Sequence, residues 1–191
     1  MRTWLLAGGL LLAGCSTLPP ADTPLPPRSA LGAFTVEGRF ALNSREPGQD
    51  AQQASGRLRW TQRSGERAEI LLMTPLGHGV AEMELAPGAS RLRTDDGREY
   101  RADDGERLLH EVTGQHLPLS RLADWLRGRG PVQESDVHGR PLQIAENGWQ
   151  IRYSYDDETP EALPARLQLR HTGPALQVDL RLRLETWRTD P

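Results

Sequence analysis

The chain has 191 residues, of which 37% are hydrophobic and 26% charged, and its formal net charge at pH 7 is −3. This length and composition allow one domain with a hydrophobic core, and they exclude a polytopic membrane protein and a wholly disordered chain. The slightly acidic balance gives no indication of nucleic acid binding, which requires a strongly basic face.

Two residue counts exclude further classes of chemistry. The 23 basic residues are all arginine, so a phosphate-binding loop with its lysine and a Schiff-base mechanism are both excluded. The single cysteine is Cys15. It leaves no possibility of an intramolecular disulfide, a Cys-x-x-Cys redox pair or a cysteine-rich zinc site.

Residues 1–14 have the pattern of a secretory signal peptide, in which one arginine precedes an apolar run that ends in small residues. The run is too short to cross a bilayer, which takes ~20 apolar residues. The segment Leu12-Ala13-Gly14-Cys15 resembles the lipobox of bacterial lipoproteins. That resemblance implies cleavage before Cys15, an N-acyl and an S-diacylglycerol group on this cysteine, and, because Ser16 follows it, export to the outer membrane.

Residues 15–32 comprise this cysteine and a proline-rich tether with prolines at positions 19, 20, 24, 26 and 27. Such a stretch stays extended, at about 3.1 Å per residue in polyproline geometry. The predicted organisation is therefore a signal peptide over 1–14, a lipidated cysteine and tether over 15–32, and a folded domain over 33–191.

From Phe34 onward, alternating apolar and polar residues predict β-strands with one apolar and one solvated face, as in antiparallel sheets. Turns are predicted at Ser64-Gly65, Pro87-Gly88, Asp96-Gly97, Asn147-Gly148 and Gly173-Pro174. The predicted apolar faces contain Phe34, Val36, Phe40 and Leu42; Leu58 and Trp60; Met83 and Leu85; Trp149, Ile151, Tyr153 and Tyr155; and Leu176, Val178, Leu180, Leu182 and Leu184.

Helical periodicity occurs only in the middle of the chain. Asp103 or Asp104 can cap a helix over residues 106–113 that ends at Gly114. Ser120 can cap a second helix, and residues 131–141 are predicted to form a loop between two prolines. The apolar face of the second helix contains Leu122, Ala123, Trp125 and Leu126. The predicted fold class is α+β, with a mostly antiparallel sheet.

No motif indicates catalysis or a resident metal. The five histidines lack the spacing that places two imidazoles on one metal ion, and no Gly-x-Ser-x-Gly turn is present. The near-repeats at 93–97 and 101–105 lack the spacing of a calcium loop. One is predicted to be a hairpin turn and the other a helix start. We therefore expect no enzymatic activity, no cofactor and no metal site.

An ordered set of short motifs across nearly the whole mature chain resembles the LolB family of outer-membrane lipoprotein receptors. The motifs are Phe34-x-x-x-Gly38-Arg39-Phe40, Ser55-Gly56-x-Leu58-x-Trp60, Thr74-Pro75-Leu76-Gly77, Leu117-Pro118-Leu119 with Leu122-x-x-Trp125-Leu126-x-Gly128, Gly148-Trp149, Leu163-Pro164 and Trp187. The resemblance implies an open, unclosed β-barrel whose hydrophobic cavity is partly covered by short helices.

The resemblance also implies a function and its partners. LolB proteins accept lipoproteins from the soluble periplasmic carrier LolA, hold their acyl chains in the cavity and insert them into the inner leaflet of the outer membrane. By this resemblance the partners are LolA, acylated lipoprotein cargo and the outer membrane, with no nucleic acid. The chain is expected to be a lipid-anchored monomer on the periplasmic face.

Site residues transfer only where the motifs match. The resemblance assigns the membrane-transfer loop to Thr74, Pro75, Leu76 and Gly77, with Leu76 as its protruding apolar residue. The candidates for the acyl-chain cavity, which the sequence cannot separate from core residues, are Phe34, Phe40, Trp60, Met83, Trp125, Trp149 and Tyr153. Two alternatives stay open: a lipid-anchored protein that binds another hydrophobic ligand, and a non-catalytic scaffolding lipoprotein whose sheet is simply packed.

Overall fold

The computed structural model describes residues 25–48, 50–174 and 176–189, so the predicted signal peptide and Cys15 lie outside the described residues. The described chain forms eleven strands and two α-helices. The strands are β1 Phe34–Arg45, β2 Gln52–Gln62, β3 Ala68–Met73, β4 Gly79–Leu85, β5 Ser90–Thr94, β6 Glu99–Ala102, β7 Val132–Ser135, β8 Pro141–Glu146, β9 Trp149–Ser154, β10 Arg166–Thr172 and β11 Gln177–Arg188; the helices are α1 Gly105–Thr113 and α2 Leu119–Leu126.

All eleven strands belong to one antiparallel sheet in the order β6-β5-β4-β3-β2-β1-β11-β10-β9-β8-β7. The first and last strands pair at its centre, and the two halves of the chain extend outward as two wings. The outermost strands, β6 and β7, do not pair with each other, so the sheet is unclosed. The helices lie between these edge strands in the sequence, which positions them over the concave side. The predicted α+β class with an open sheet is confirmed.

The apolar rows of the strands line the concave side and form one hydrophobic core with the helices. Alternation holds along β11, where every second residue from Val178 to Leu184 is buried. The pairing of β1 with β11 shifts between Glu37 and Gly38, so β11 carries an extra residue there. This bulge turns Trp187 to the inner side, where its ring centroid lies 5.3 Å from that of Phe34.

The predicted turns and helix caps are confirmed at positions where a glycine, asparagine or aspartate favours the required backbone conformation or capping hydrogen bond. Asn147 and Gly148 have φ values of 49° and 81°, as a two-residue hairpin turn requires. The first near-repeat forms the turn between β5 and β6. The second begins α1, whose N-cap is Asp104 and whose C-cap, Gly114, is left-handed.

Two local predictions are wrong. Ser120 does not cap the second helix, because α2 already begins at Leu119 after Pro118. Residues 131–141 are not a loop, because Val132–Ser135 and Pro141–Glu146 pair as an antiparallel hairpin. Alternation is weak in these short strands, all residues of β7 being exposed, so the sequence pattern did not indicate them.

The end of the segment predicted as a tether packs on the domain. Residues Arg28–Ala30 form a 3-10 turn, and Leu31 is completely buried in the core. An apolar side chain at this position accounts for the docking, since its burial removes it from water. Among the described residues, none of the helices has the length and hydropathy that a membrane crossing requires.

Candidate functional site

The N-terminal ends of both helices are capped by carboxylates of α1 or of its N-cap residue. The Asp104 carboxylate accepts a hydrogen bond from the Arg107 backbone N–H at 2.7 Å, which starts α1. The Glu106 carboxylate accepts from both the backbone N–H and the hydroxyl of Ser120, at 3.1 and 2.7 Å. The backbone N–H of Ser120 lies in the first turn of α2 and has no partner within that helix. It therefore donates to a carboxylate of α1, and this bond fixes the two helices relative to each other.

A partly buried carboxylate on β8, that of Glu146, attaches α2 to the sheet. One oxygen of Glu146 accepts hydrogen bonds from the Trp125 indole N–H at 3.0 Å and from the Arg121 guanidinium at 2.9 Å. Burial by itself raises the pKa of Glu146, but the bonds from Arg121 and Trp125 outweigh it and hold the pKa below its ordinary value. The Tyr153 hydroxyl donates to the Trp125 carbonyl at 3.0 Å, and burial raises the pKa of Tyr153.

The C-terminal end of α2 holds the N-terminal segment of the domain. Arg127 donates to the carbonyl oxygens of Leu31 and Gly32 at 3.2 and 3.1 Å, and it pairs with Asp124 at 2.8 Å. Arg129 donates to the Leu31 carbonyl at 2.8 Å. The segment that would connect to a lipid anchor is thus bonded to the helix that covers the concave side.

A cavity of about 650 Å³ lies between α2, the start of α1 and strands β2–β5. This volume is within the range of about 300–1,000 Å³ typical of small-molecule sites. The indole N–H of Trp60 donates to Gln62 at 3.1 Å, so its polar atom is satisfied. The cavity wall combines apolar side chains with a charged rim: Trp60, Ala68, Leu85, Leu119 and Ala123 are among the first, and Glu66, Asp103, Asp104, Glu106, Arg121, Asp124 and Arg127 among the second.

The structure separates the seven predicted cavity candidates. Trp60 lines the cavity between the helices and the sheet. Phe34, Met83 and Trp125 are at most 5% exposed and belong to the surrounding core. The others are placed elsewhere along the sheet: Phe40 is half-buried against the core, Tyr153 is bonded to α2, and the Trp149 ring lies 5.8 Å from that of Trp125.

Sequence reasoning missed most of the cavity wall. The sequence predicts Leu85 on an apolar strand face and Ala123 on an apolar helix face, but it does not indicate that both line one cavity. Leu119 belongs to one of the family motifs but was not predicted to line a cavity, and the capping Glu106 was not singled out. One signal could have indicated space beside α2. Its apolar face contains a small residue, Ala123, among larger ones, and a small side chain leaves room next to the helix.

The loop between β3 and β4 presents a leucine to solvent. The Gly77 N–H donates to the Thr74 carbonyl at 2.9 Å, which closes a tight turn with Pro75 and Leu76 at its tip. Gly77 has a φ of 92°, which favours glycine. Leu76 is 87% exposed. The predicted projecting turn is therefore present, and its membrane role stays a prediction.

The Leu76 turn and the N-terminal segment lie at opposite ends of the sheet. Phe34, where β1 begins, pairs with Gln62 at the end of β2, and Gln62 pairs with Ala68 at the start of β3. The turn follows the other end of β3. The cavity opens near the first end, since Gln62 and Ala68 line it.

The histidines, which are scattered in the sequence, are partly brought together. The rings of His110 and His116 stack with centroids 3.7 Å apart, and His171 lies beside Trp149. Across the described ranges, no group of three or more His, Cys, Asp or Glu side chains is arranged to hold a metal ion.

The chain matches the sequence model of the family described as "Outer membrane lipoprotein LolB" over residues 32–187. It is 45% identical to the outer-membrane lipoprotein LolB of Dechloromonas aromatica, a match that covers 100% of this chain and 99% of the relative. It is 39% identical to that of Bordetella petrii, with 95% and 91% covered. A crystal structure of a LolA superfamily protein from Nitrosomonas europaea aligns with a TM-score of 0.49 and 11% identity, over 85% of this chain and 88% of that one.

Proposed function

The chain belongs to the LolB family of outer-membrane lipoproteins, and from that premise we propose that it accepts lipoproteins from the periplasmic carrier LolA and inserts them into the inner leaflet of the outer membrane. It is a lipid-anchored protein of the outer membrane, and the acyl group on Cys15 is part of the proposal. The observation that carries the proposal is the cavity of about 650 Å³ between α2 and the sheet.

An acyl chain needs such a cavity because its exposure to water is unfavourable by ~0.8 kcal/mol per CH₂ group. A long chain therefore has to pass from one apolar site directly into another. Trp60, Leu85 and Leu119 offer an apolar wall for it, and the charged rim can face the protein part of the cargo. Since apolar area is buried before and after each exchange, the transfer can proceed through small differences in affinity.

Delivery to the bilayer is assigned to the turn that carries Leu76. An exposed leucine at the tip of a rigid turn can enter the membrane interface, where its burial contributes roughly 1.5–3 kcal/mol. The turn lies at the end of the sheet opposite the cavity mouth. Loss of the leucine should therefore affect release of cargo into lipid and leave acceptance from the carrier intact.

A two-stage transfer assay with labelled lipoprotein tests this separation. The first stage measures passage from LolA to this protein, and the second measures passage to liposomes. We expect Leu76→Glu to leave the first stage and the melting temperature unchanged and to slow the second at least tenfold. The matched control is Val137→Glu, because Val137 is 94% exposed in the turn between β7 and β8.

Other results would contradict the proposal. Equal slowing of both stages by Leu76→Glu, or equal effects of the two variants, would remove the assigned role of the turn. A wild-type protein that binds lipophilic probes but receives nothing from LolA would favour a binding protein for another ligand. A wild-type protein that binds neither would favour a packed scaffold. Intact-mass analysis that shows an unmodified Cys15 in the mature protein would contradict the lipid anchor.

A further inference from the structure

The convex side of the sheet carries a dense array of arginines. They project from the five central strands β2, β1, β11, β10 and β9, on the side opposite the buried rows. Although the chain as a whole has a net charge of −3, the convex side of these five strands and the loop after β9 together have ten arginines and four carboxylates, an excess of six positive charges. We call it the arginine face; it comprises Arg39, Arg45, Arg57, Arg59, Arg152, Arg166, Arg170, Arg181, Arg183 and Arg188, with Glu37, Asp156, Asp179 and Glu185.

Each carboxylate of the arginine face is shared by two arginines. Glu37, for example, contacts Arg59 and Arg188 at 2.9 and 2.8 Å. Since each carboxylate carries one negative charge and each pair of arginines two positive charges, every such group keeps one positive charge. The other shared pairs are Arg39 and Arg57 on Glu185, Arg170 and Arg181 on Asp179, and Arg166 and Arg183 on Asp156.

A shallow groove of about 480 Å³, to which neither helix contributes, lies in this part of the sheet. Its lining combines arginines of the arginine face with four residues of the inner rows, Phe40, Tyr153, Leu167 and Leu182. Arg39, Arg183 and Arg166 lie in one row across β1, β11 and β10, and Arg181 lies in the next row. Arg152 closes the groove on β9 and has no ion pair with any described residue. The arginines that line this groove are themselves solvent-exposed, and each guanidinium has more N–H donors than its ion pair uses.

We propose that the arginine face docks on anionic phospholipid headgroups of the membrane in which the protein is anchored. A guanidinium donates two parallel hydrogen bonds to a phosphate and keeps its charge at any physiological pH. Each basic side chain near an anionic surface adds to the attraction, which falls off within a Debye length. Because strands are spaced about 4.8 Å apart, five of them spread the charge over roughly 20 Å. An array of this width fits a surface of many phosphates better than a single small anion.

The lipid anchor favours a membrane over an acidic protein as the partner, because it keeps the domain within reach of the bilayer at all times. Docking through the convex side would direct the concave side, with its cavity, toward the periplasm. This orientation goes beyond the proposed transfer of cargo and rests on that proposal only for the lipid anchor, because the attraction itself comes from the arginines.

Energy transfer from a label on the arginine face to labelled lipids measures this orientation in the full-length lipidated protein in vesicles. Ser55→Cys places a thiol on the outward side of β2, and the natural cysteine at position 15 is expected to be acylated. We expect a label there to approach the bilayer when phosphatidylglycerol is raised from 0 to 30% in phosphatidylcholine. The approach should be reversed by 0.5 M salt, which screens charges beyond about 4 Å. A label at Val137→Cys serves as the reference position.

A triple variant tests whether the arginines cause the approach. In Arg39→Gln/Arg152→Gln/Arg183→Gln, Glu185 keeps Arg57 and Asp156 keeps Arg166, so no carboxylate loses both partners. The matched control, Arg98→Gln/Arg101→Gln/Arg107→Gln, removes the same charge from β6, its turn and α1. We expect the triple variant to lose more than half of the lipid-dependent change and the control to lose none.

Three results would overturn the inference. The first is an approach that does not depend on phosphatidylglycerol, and the second is equal loss in both variants. The third is a triple variant that leaves the approach intact but weakens acceptance from LolA, which would assign the arginine face to an acidic protein surface. None of these results bears on Leu76, so failure here is distinguishable from failure of the proposed function.

Discussion

A Cβ atom on Gly38 would lie 2.1 Å from the carbonyl oxygen of Arg183 on the neighbouring strand β11. The contact is with backbone, which cannot rotate away. It lies where the pairing of β1 with β11 shifts its register. A similar approach occurs between β2 and β3, where a Cβ atom on Gly56 would lie 2.2 Å from the Met73 carbonyl oxygen. Both glycines therefore allow the close strand approach found in this curved part of the sheet.

Substitution of this glycine should destabilise the domain. We expect Gly38→Ala to lower the free energy of unfolding by about 1–3 kcal/mol or more, because the backbone of β1 or β11 must shift. Urea denaturation of the purified protein measures the change. Gly32→Ala is the control, since a Cβ atom there has no neighbour within 4 Å. Equal stability of the two variants would show that the strands can separate without loss.

The carboxylate that attaches α2 should make stability depend on acid pH. The pKa of Glu146 lies below its ordinary value of 4.5 in the folded protein, so its contribution is present above that pH and is lost as pH falls through the lowered pKa. We expect Glu146→Gln to be less stable than wild type at pH 7 and the difference to narrow as the pH falls below about 4.5 and through the lowered pKa of Glu146. Denaturation curves at several pH values measure it.

The control for this effect is Glu158→Gln, a change at an exposed glutamate in the loop after β9. Its difference from wild type should stay small across the same pH range. A difference for Glu146→Gln that is constant with pH would show that the carboxylate charge does not stabilise α2.

Filling the cavity should block acceptance of cargo. Ala123 lines the cavity from α2, and we expect Ala123→Leu to reduce the first transfer stage at least fivefold. Because the added methyl groups can enter existing space, the melting temperature should change little. Ala162→Leu is the comparison, since Ala162 is equally buried, at 7% exposure, but lies outside this cavity. Normal acceptance by Ala123→Leu would mean that acyl chains bind elsewhere.

The distance between the N-terminal segment and Leu76 sets a minimum length for the tether. From Ala68 to Leu76 the hairpin rises about 25 Å at ~3.3 Å per residue. The ten Cα–Cα steps from Cys15 to Leu25 span at most about 35 Å. Deletion of residues 18–23 should therefore prevent Leu76 from reaching the bilayer in which its own anchor is held.

We expect this deletion to slow release of cargo into lipid and to leave acceptance unchanged in the two-stage assay. The control replaces residues 18–23 with six glycine and serine residues, which keeps the length. Normal release by the shortened protein would show that Leu76 does not need to reach the membrane. Slow release by the control would show that tether composition matters more than length.

The sequence by itself determined the local features of this protein. Alternation gave the inner faces of β1, β2 and β11, because side chains of a strand point to opposite sides in turn. Asn147-Gly148 and Gly114 gave a turn and a helix end, because their backbone conformations favour these residues. Asp104 could be predicted as one of two possible caps. The ordered motifs predicted the family, to which the chain belongs.

Only the tertiary structure decided which residues became neighbours across the chain. Core and cavity residues share one apolar pattern, and the position of α2 left space beside Trp60 but none beside Phe34. The cap of α2 comes from Glu106, fourteen residues from Ser120. The arginine face forms because β1 pairs with β11, which brings Arg39 beside Arg183. Such pairings depend on contacts between segments that are distant in the sequence. A local pattern contains no information on the entropy cost of bringing these segments together or on how they pack.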